Sequence, residues 1–164
     1  MKIVGILSDT HGTFDEKLSN FFSDVDILLH AGDIGGLNVA DQIAVAHPLE
    51  AVYGNIDDHR VRIVYPEYRL VTIENVKILI THIGGYPAHY YSSFLEIIKK
   101  HRPQIVICGH SHILKVMYDK TNDHLHINPG AAGVMGFHRV RTAIRLKIDG
   151  SRIYDLEVGE WKRG

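Results

Sequence analysis

The apolar positions fall into two textures that alternate along the first half of the chain. Lys2–Leu7, Val25–His30, Leu49–Tyr53 and, further on, Gln104–Cys108 are short runs dominated by apolar residues with little polar alternation. A strand of that kind is covered on both faces, as in a parallel sheet layered by helices. Between these runs the spacing turns helical. Phe14–Phe22 places Phe14, Leu18, Phe21 and Phe22 on one side, and Val39–Ala46 forms a short helix stopped before Pro48. Strand, helix and strand in succession predict right-handed β-α-β units with a parallel core.

The second half reads differently. Arg69–Glu74 and Val76–Thr81, parted by Asn75, form a predicted hairpin. Tyr90–His101 is a predicted helix whose apolar side is Phe94, Leu95, Ile97 and Ile98, with Pro103 beyond its end. Lys115–Tyr118 pairs with His124–Ile127, and Thr142–Ile148 pairs with Arg152–Val158 across Asp149-Gly150, a strong hairpin turn. The expected fold class is α/β: two mixed sheets packed face to face and flanked by helices, a four-layer α/β/β/α sandwich. One domain spanning 1–164 is expected. A chain near 150 residues buries roughly 68–70 % of its unfolded surface, enough for stability without staples.

Composition narrows the possibilities. The sole cysteine, Cys108, excludes an intramolecular disulfide and sits in an apolar strand, where a thiol is inert. The N-terminal apolar run ends at Ser8 and is shorter than a secretory core, and no stretch is long enough to span a membrane, which points to a cytoplasmic protein. A formal net charge of −1 offers no general attraction to a nucleic-acid backbone. The unusual count is 12 histidines, the commonest metal-ligating residue.

Their placement, with that of the acids, is informative. Asp9 and His11 follow the first strand, Asp33 the second and Asn55 the third; His82 ends Val76–Thr81, and His110 and His112 follow Gln104–Cys108. Five strands thus deliver polar groups just past their C-terminal ends, the edge where ligands bind in open α/β sheets. Residues two apart point the same way in extended chain, so Asp9 can act with His11 and His110 with His112. Glycines precede Asp33, Asn55 and His110. Mixed oxygen and imidazole donors suit manganese, iron, zinc or nickel better than calcium. Seven donors are too many for one tetrahedral site and divide into two sites sharing a carboxylate, with ions roughly 3.5–4 Å apart in the arrangement used for phosphoryl-ester cleavage. Two divalent ions, two aspartates and one hydroxide leave a centre of about one positive charge, suited to an anionic ester.

Asp9-Thr10-His11, Gly32-Asp33, Gly54-Asn55-Ile56-Asp57, His82 and Gly109-His110-Ser111-His112 resemble the signature of the calcineurin-like metallophosphoesterases, and the short chain resembles the small phosphodiesterase branch found in bacteria and archaea. The resemblance runs from Lys2 to Asn128-Pro129-Gly130. It implies one metal on Asp9, His11, Asp33 and His112 and a second on Asp33, Asn55, His82 and His110, with Asp33, Asn55 and His82 central to catalysis. It also implies a bridging hydroxide as nucleophile, manganese as the foremost of the candidate ions, and a small phosphate ester as substrate. Many family members carry a histidine after the asparagine. Here Ile56 stands there and can neither stabilise charge nor donate a proton; His59 is the nearby alternative donor, against its reading as a solvated loop residue.

Blander readings compete residue by residue. Asp9 and Asp33 could cap following helices, and Asn55 could hold a left-handed turn. His30 reads as a hydrogen-bonded core residue, and His47, His101 and His124 as surface groups. His126 should face away from Leu125 and Ile127. His89 follows Gly84-Gly85-Tyr86-Pro87, a flexible stretch after His82 that could border a substrate pocket. His138 and Arg139, past the Gly130–Gly136 segment, read as solvated, although Arg139 could reach a phosphate. Of Tyr90-Tyr91, one ring should pack in the core rather than stack on a substrate. The functional expectation is metal-dependent hydrolysis of phosphodiesters, with monoesters as possible substrates. The alternative is a non-catalytic scaffold of the same fold that binds partner proteins, as a eukaryotic trafficking-coat component does. A homo-oligomer is compatible with either.

Overall fold

The structure, a computed structural model, describes residues 1–163. The apolar runs form parallel strands within two five-stranded sheets. In the first, β1 (Lys2–Leu7), β2 (Ile27–His30) and β3 (Leu49–Ala51) run parallel, and β9 (Val140–Asp149) and β10 (Arg152–Lys162) extend it in the order β10-β9-β1-β2-β3. In the second, β4 (Tyr68–Ile73), β5 (Val76–Thr81), β6 (Ile105–Ile107), β7 (Leu114–Asp119) and β8 (His124–Pro129) take the order β4-β5-β6-β8-β7. Both expected hairpins of the last third form. Beyond them, β9 also pairs antiparallel with β1, and β8 runs parallel to β6.

The layers follow from which faces are apolar. Val4, Ile6 and Leu29 of the first sheet meet Ile78, Ile80, Ile107 and Ile127 of the second in a fully buried central cluster. Behind the first sheet, α1 (Glu16–Phe21) and α2 (Leu37–Ala46) cover a second cluster that includes Leu18, Phe22, Leu28 and Ile43, joined by Val61 of α3 (His59–Val64). Behind the second, α4 (Ser92–His101) packs Phe94 and Ile98 onto Leu79, Val106 and Cys108. This is the four-layer α/β/β/α arrangement. Burial pushes the Cys108 thiol pKa up, so it is inert.

Several boundaries differ from the pattern-based expectation. Helix α3 lies in a stretch with no long apolar periodicity; Asp58 starts it by accepting a bond from the Val61 amide. Helix α4 starts at Ser92, leaving Tyr90 and Tyr91 outside it. Strand β10 runs on to Lys162 past an irregularity between Tyr154 and Glu157. Among the described residues no helix is long and apolar enough to cross a membrane.

The central cluster carries the sheet–sheet contact, so its loss should be felt globally. Ile80→Ala removes a side chain with 0 % exposure, and is expected to lower unfolding free energy by about 2–5 kcal/mol. Urea titration of the variant against the parent checks this.

Candidate metal centre

Each of the strands β1, β2, β3, β5 and β6 ends at one edge of the molecule, and the seven sequence-predicted residues follow those ends. The structure brings all seven together. Ligand-capable atoms of Asp9, His11 and His112 lie within 4.8 Å of one another, as do those of Asp33, His82 and His110. Asn55 Oδ1 belongs with the second group, 3.0 Å from His82 Nε2 and 3.1 Å from His110 Nδ1. Asp33 Oδ2 lies between the groups, 3.4 Å from His11 Nε2 and 3.3 Å from His82 Nε2.

Local conformation makes this convergence possible. Asp9, His11, Asp33, His110 and His112 all adopt the left-handed region, with φ of 53°, 45°, 55°, 74° and 63°. For a residue with a Cβ that region costs about 1–3 kcal/mol, and it persists where surrounding structure enforces it. Asp9 and Asp33 are not helix caps: Asp15 caps α1, and α2 begins at Gly36 with no side-chain cap. Asn55 keeps a negative φ and so does not hold a left-handed turn. The glycine before it is required by space, because a Cβ at Gly54 would collide with the Asp33 carboxylate and amide.

Buried partners hold the ligand loops. Asp57, 4 % exposed, accepts from the amides of Ile34, Gly35 and Gly54 and so joins the loop after β2 to the loop after β3. His30 is the core residue expected: Nδ1 accepts from the Gly32 amide, and Nε2 donates to Thr10 Oγ1, whose proton goes to the Ile34 carbonyl. Burial lowers its pKa to about 4, so the ring is neutral. Asp9 Oδ2 accepts from Ser8 Oγ at 2.6 Å and from the His110 amide at 3.1 Å.

The other carboxylate oxygen of Asp9 tests whether a cation fits. Asp9 Oδ1 and His11 Nε2 are both buried with no hydrogen-bond partner, and they face each other at 3.6 Å. His112 Nε2 stands 3.2 Å from the same oxygen. Two donors on one ion, each at about 2.0–2.2 Å and near right-angled or tetrahedral to each other, are about 3.0–3.4 Å apart. His82 Nδ1 donates to the Ala31 carbonyl at 2.7 Å, which leaves its Nε2 lone pair turned toward Asp33 and Asn55. The donor set and its orphaned atoms fit divalent ions.

Without an ion, protons do part of this work. Burial opposes the charge on Asp9, but His11, His112, His82 and Ser8 outweigh it and hold the carboxyl well below the usual range. Asp33 is likewise lowered against burial by His11 and His82. His11 is raised to about 9 by Asp33 and then Asp9, and His82 is raised by the same carboxylates against the effect of burial.

Two cavities flank the centre. One of about 230 Å³ is lined by Tyr53, Asn55, Arg62, Thr81, His82 and Ile83. In it the Arg62 guanidinium lies over the Tyr53 ring, 4.5 Å from its centroid, and donates to the backbone carbonyls of Asp57 and Asn55. The other, about 350 Å³, is lined by His110, Ser111, His112, Ile113, Phe137 and His138.

Outside the seven, several readings need correction. His124 is buried rather than on the surface: Tyr90 Oη lies 2.9 Å from its Nε2 and 2.7 Å from His126 Nδ1. Tyr90 is therefore the packed ring of its pair, while Tyr91 is exposed, and His126 does face away from Ile127 of the central cluster. His138 is not simply solvated, since its Nδ1 meets His112 Nδ1 at 3.2 Å and its Nε2 donates to the Gly133 carbonyl at 2.8 Å. The missed signal was β8, read only as a hairpin strand. It also runs parallel to β6, which brings its following loop to the same edge. Arg139, His89 and His59 are exposed, His59 at the start of α3.

A probable metallophosphoesterase of Methanothermobacter thermautotrophicus is 28 % identical over 95 % of this chain and 91 % of that one. A solved archaeal phosphodiesterase is 26 % identical, with a TM-score of 0.73 over 95 % of this chain and 99 % of that one. Vps29 of Entamoeba histolytica, solved in complex with zinc, shares the fold at 18 % identity, with a TM-score of 0.74 over 99 % of both chains. Residues 1–151 match the model of the calcineurin-like phosphoesterase superfamily domain, and the chain belongs to that superfamily.

His11 and His82 hold protons more tightly in the folded chain, so their stabilisation is full below the ordinary 6.5 and is lost as pH rises, for His11 through about 9. Asp9 and Asp33 have the opposite sign, and their contribution is lost only as pH falls through the acid range. In chelator-treated protein the calorimetric midpoint should therefore fall between pH 6.5 and 9. His11→Asn should flatten that fall.

Proposed function

We propose that this chain is a metal-dependent phosphoesterase that holds two divalent transition ions, manganese foremost with iron, zinc or nickel as alternatives, and hydrolyses small phosphodiesters. The observation that supports the reading is two adjacent donor groups with Asp33 Oδ2 standing between them, 3.4 Å from His11 Nε2 and 3.3 Å from His82 Nε2. Bound ions supply Lewis acidity at the phosphoryl oxygens and make a water nucleophilic near neutral pH. The chain's own residues supply the rest. Asp9 and Asp33 remain ionised throughout the neutral range. The Ala31 carbonyl fixes the His82 ring, and Arg62, held over Tyr53, adds a fixed cation beside Asn55 that attracts an anionic ester. The two cavities give the ester's substituents room on either side.

Ile56 is 47 % exposed next to Asn55, and an aliphatic side chain there provides no proton for a departing alkoxide. The reading therefore favours esters with stable leaving groups. It is also supported by the archaeal phosphodiesterase and by the probable metallophosphoesterase, both similar along nearly the whole chain. The second reading, a partner-binding scaffold, draws on the shared fold of Vps29. Against it, all seven positions here hold groups able to bind a metal.

The decisive assay strips the protein of metal, restores manganese and follows a chromogenic phosphodiester beside the matching monoester. Metal-dependent turnover favouring the diester is expected; absence of both turnover and metal binding would leave the scaffold reading. Asp33→Ala should lose metal retention and turnover together, and full turnover in that variant would sink the two-ion reading. Ile56→His should raise turnover on esters with poor leaving groups by up to about 10²-fold, the scale of one general acid.

A further inference from the structure

The loop that follows β8 carries a residue that the metal-centre reading leaves without a role. His138 Nε2 lies 2.8 Å from the Gly133 carbonyl oxygen, which can only accept, so Nε2 carries the proton. Burial lowers the His138 pKa and favours the neutral ring, whose Nδ1 then has only a lone pair. It lies 3.2 Å from His112 Nδ1, with the rings edge to face at a centroid distance of 5.0 Å. With His138 in that form, a hydrogen bond between the two rings needs the proton on His112 Nδ1, donated to His138. That leaves His112 Nε2, which faces Asp9 Oδ1 at 3.2 Å, as the atom open to an incoming ion.

The contacts close into a circuit. The Gly133 amide donates to the Asp9 carbonyl at 3.1 Å, the Gly133 carbonyl takes the His138 proton, His138 takes the His112 proton, and His112 faces the Asp9 side chain. The loop also packs against the ligand ring. Gly136, at φ 132°, leaves no room for a Cβ, which would sit 2.5 Å from His112 Nδ1 and Cε1. Arg163 donates to the carbonyls of Gly136 and His138 and so ties this loop to the chain beyond β10. An imidazole ligand has two nitrogens and can present either one. Partners on the far nitrogen settle which, and losing such a partner typically costs 10–100-fold in metal affinity.

We propose that His138 is the positioning residue of the Asp9–His11–His112 group: it fixes the Nδ1–H tautomer of His112 and so commits Nε2 to the cation. Resting on the metal-centre reading, the inference adds a residue from a sixth strand end to that site. Its counterpart in the other group is a backbone group, the Ala31 carbonyl behind His82. The two groups therefore differ in a way that mutation can address: among the described residues, the far nitrogen of His112 meets a replaceable side chain and that of His82 a backbone carbonyl.

Zinc serves as the probe because it is diamagnetic. In zinc-loaded wild-type protein, nitrogen NMR of the histidine rings should show His112 protonated on Nδ1 and metal-bound through Nε2. The reverse assignment would overturn the proposal without any variant being made. Calorimetric zinc titration should then show His138→Leu weakening one ion 10–100-fold and leaving the other unchanged. His138→Asn, whose carboxamide oxygen keeps an acceptor near the place of Nδ1, should retain most of the affinity. If His138→Leu binds both ions like the parent and His112 keeps its tautomer, His138 has no positioning role while the metal centre stands. If the parent binds no zinc, the metal-centre reading fails first and the inference with it.

Discussion

The constraint on which the rest of this structure depends is electrostatic: a set of lone pairs faces inward on one point with little to separate them. Asp9 Oδ1 has no hydrogen-bond donor although it is buried, and His11 Nε2 opposite it is equally unpartnered. A buried polar atom left in that state is destabilising by about 1–3 kcal/mol, more when charged. Positive charge between the donors removes the penalty, whether from protons on the imidazoles or from cations. The same arrangement explains why Asp9 and Asp33 stay ionised in spite of burial, and why His11 gains basicity in a position that would otherwise lower it.

Holding such groups together requires a scaffold that cannot relax them apart. Parallel strands supply it, because all their C-terminal ends emerge at one edge, and the loops there are short. Five of the seven candidate ligands sit in left-handed backbone, so the loops curl inward as soon as the strands end. The strain is borne by rigid neighbours: Asp57 collects three amides from two loops, and His30 locks Thr10 and Gly32 between the ligands. None of these partners touches an ion in the proposed scheme. They determine where the ligands stand.

Much of this was legible in the chain because the strong signals were local. Lys2–Leu7 and Gln104–Cys108 announce covered strands by composition alone, and polar residues that break such runs at the same end announce a site. What escaped depended on pairings remote in sequence. His124 looks like a strand-end surface residue until Tyr90 is brought to it. His138 looks solvated until β8 is seen lying beside β6 as well as β7. Helix α3 escaped for another reason. It is six residues long, and only Val61 is buried, so it has almost no periodicity to detect. The start of α2 was displaced because Gly36 gives no side-chain cap to mark it.

The division of donors between the two sheets has a mechanical meaning. Both carboxylates and the carboxamide, with His11, come from the first sheet, whereas His82, His110 and His112 come from the second. Carboxylate donors on one plate and imidazole donors alone on the other make the centre a gauge of how the plates are aligned. Slippage by a fraction of an ångström would pull the imidazoles away from the carboxylates before any strand lost a hydrogen bond. Side chains such as Val4, Leu29 and Ile127, which set that alignment in the interior, therefore tune the chemistry at the rim without approaching it.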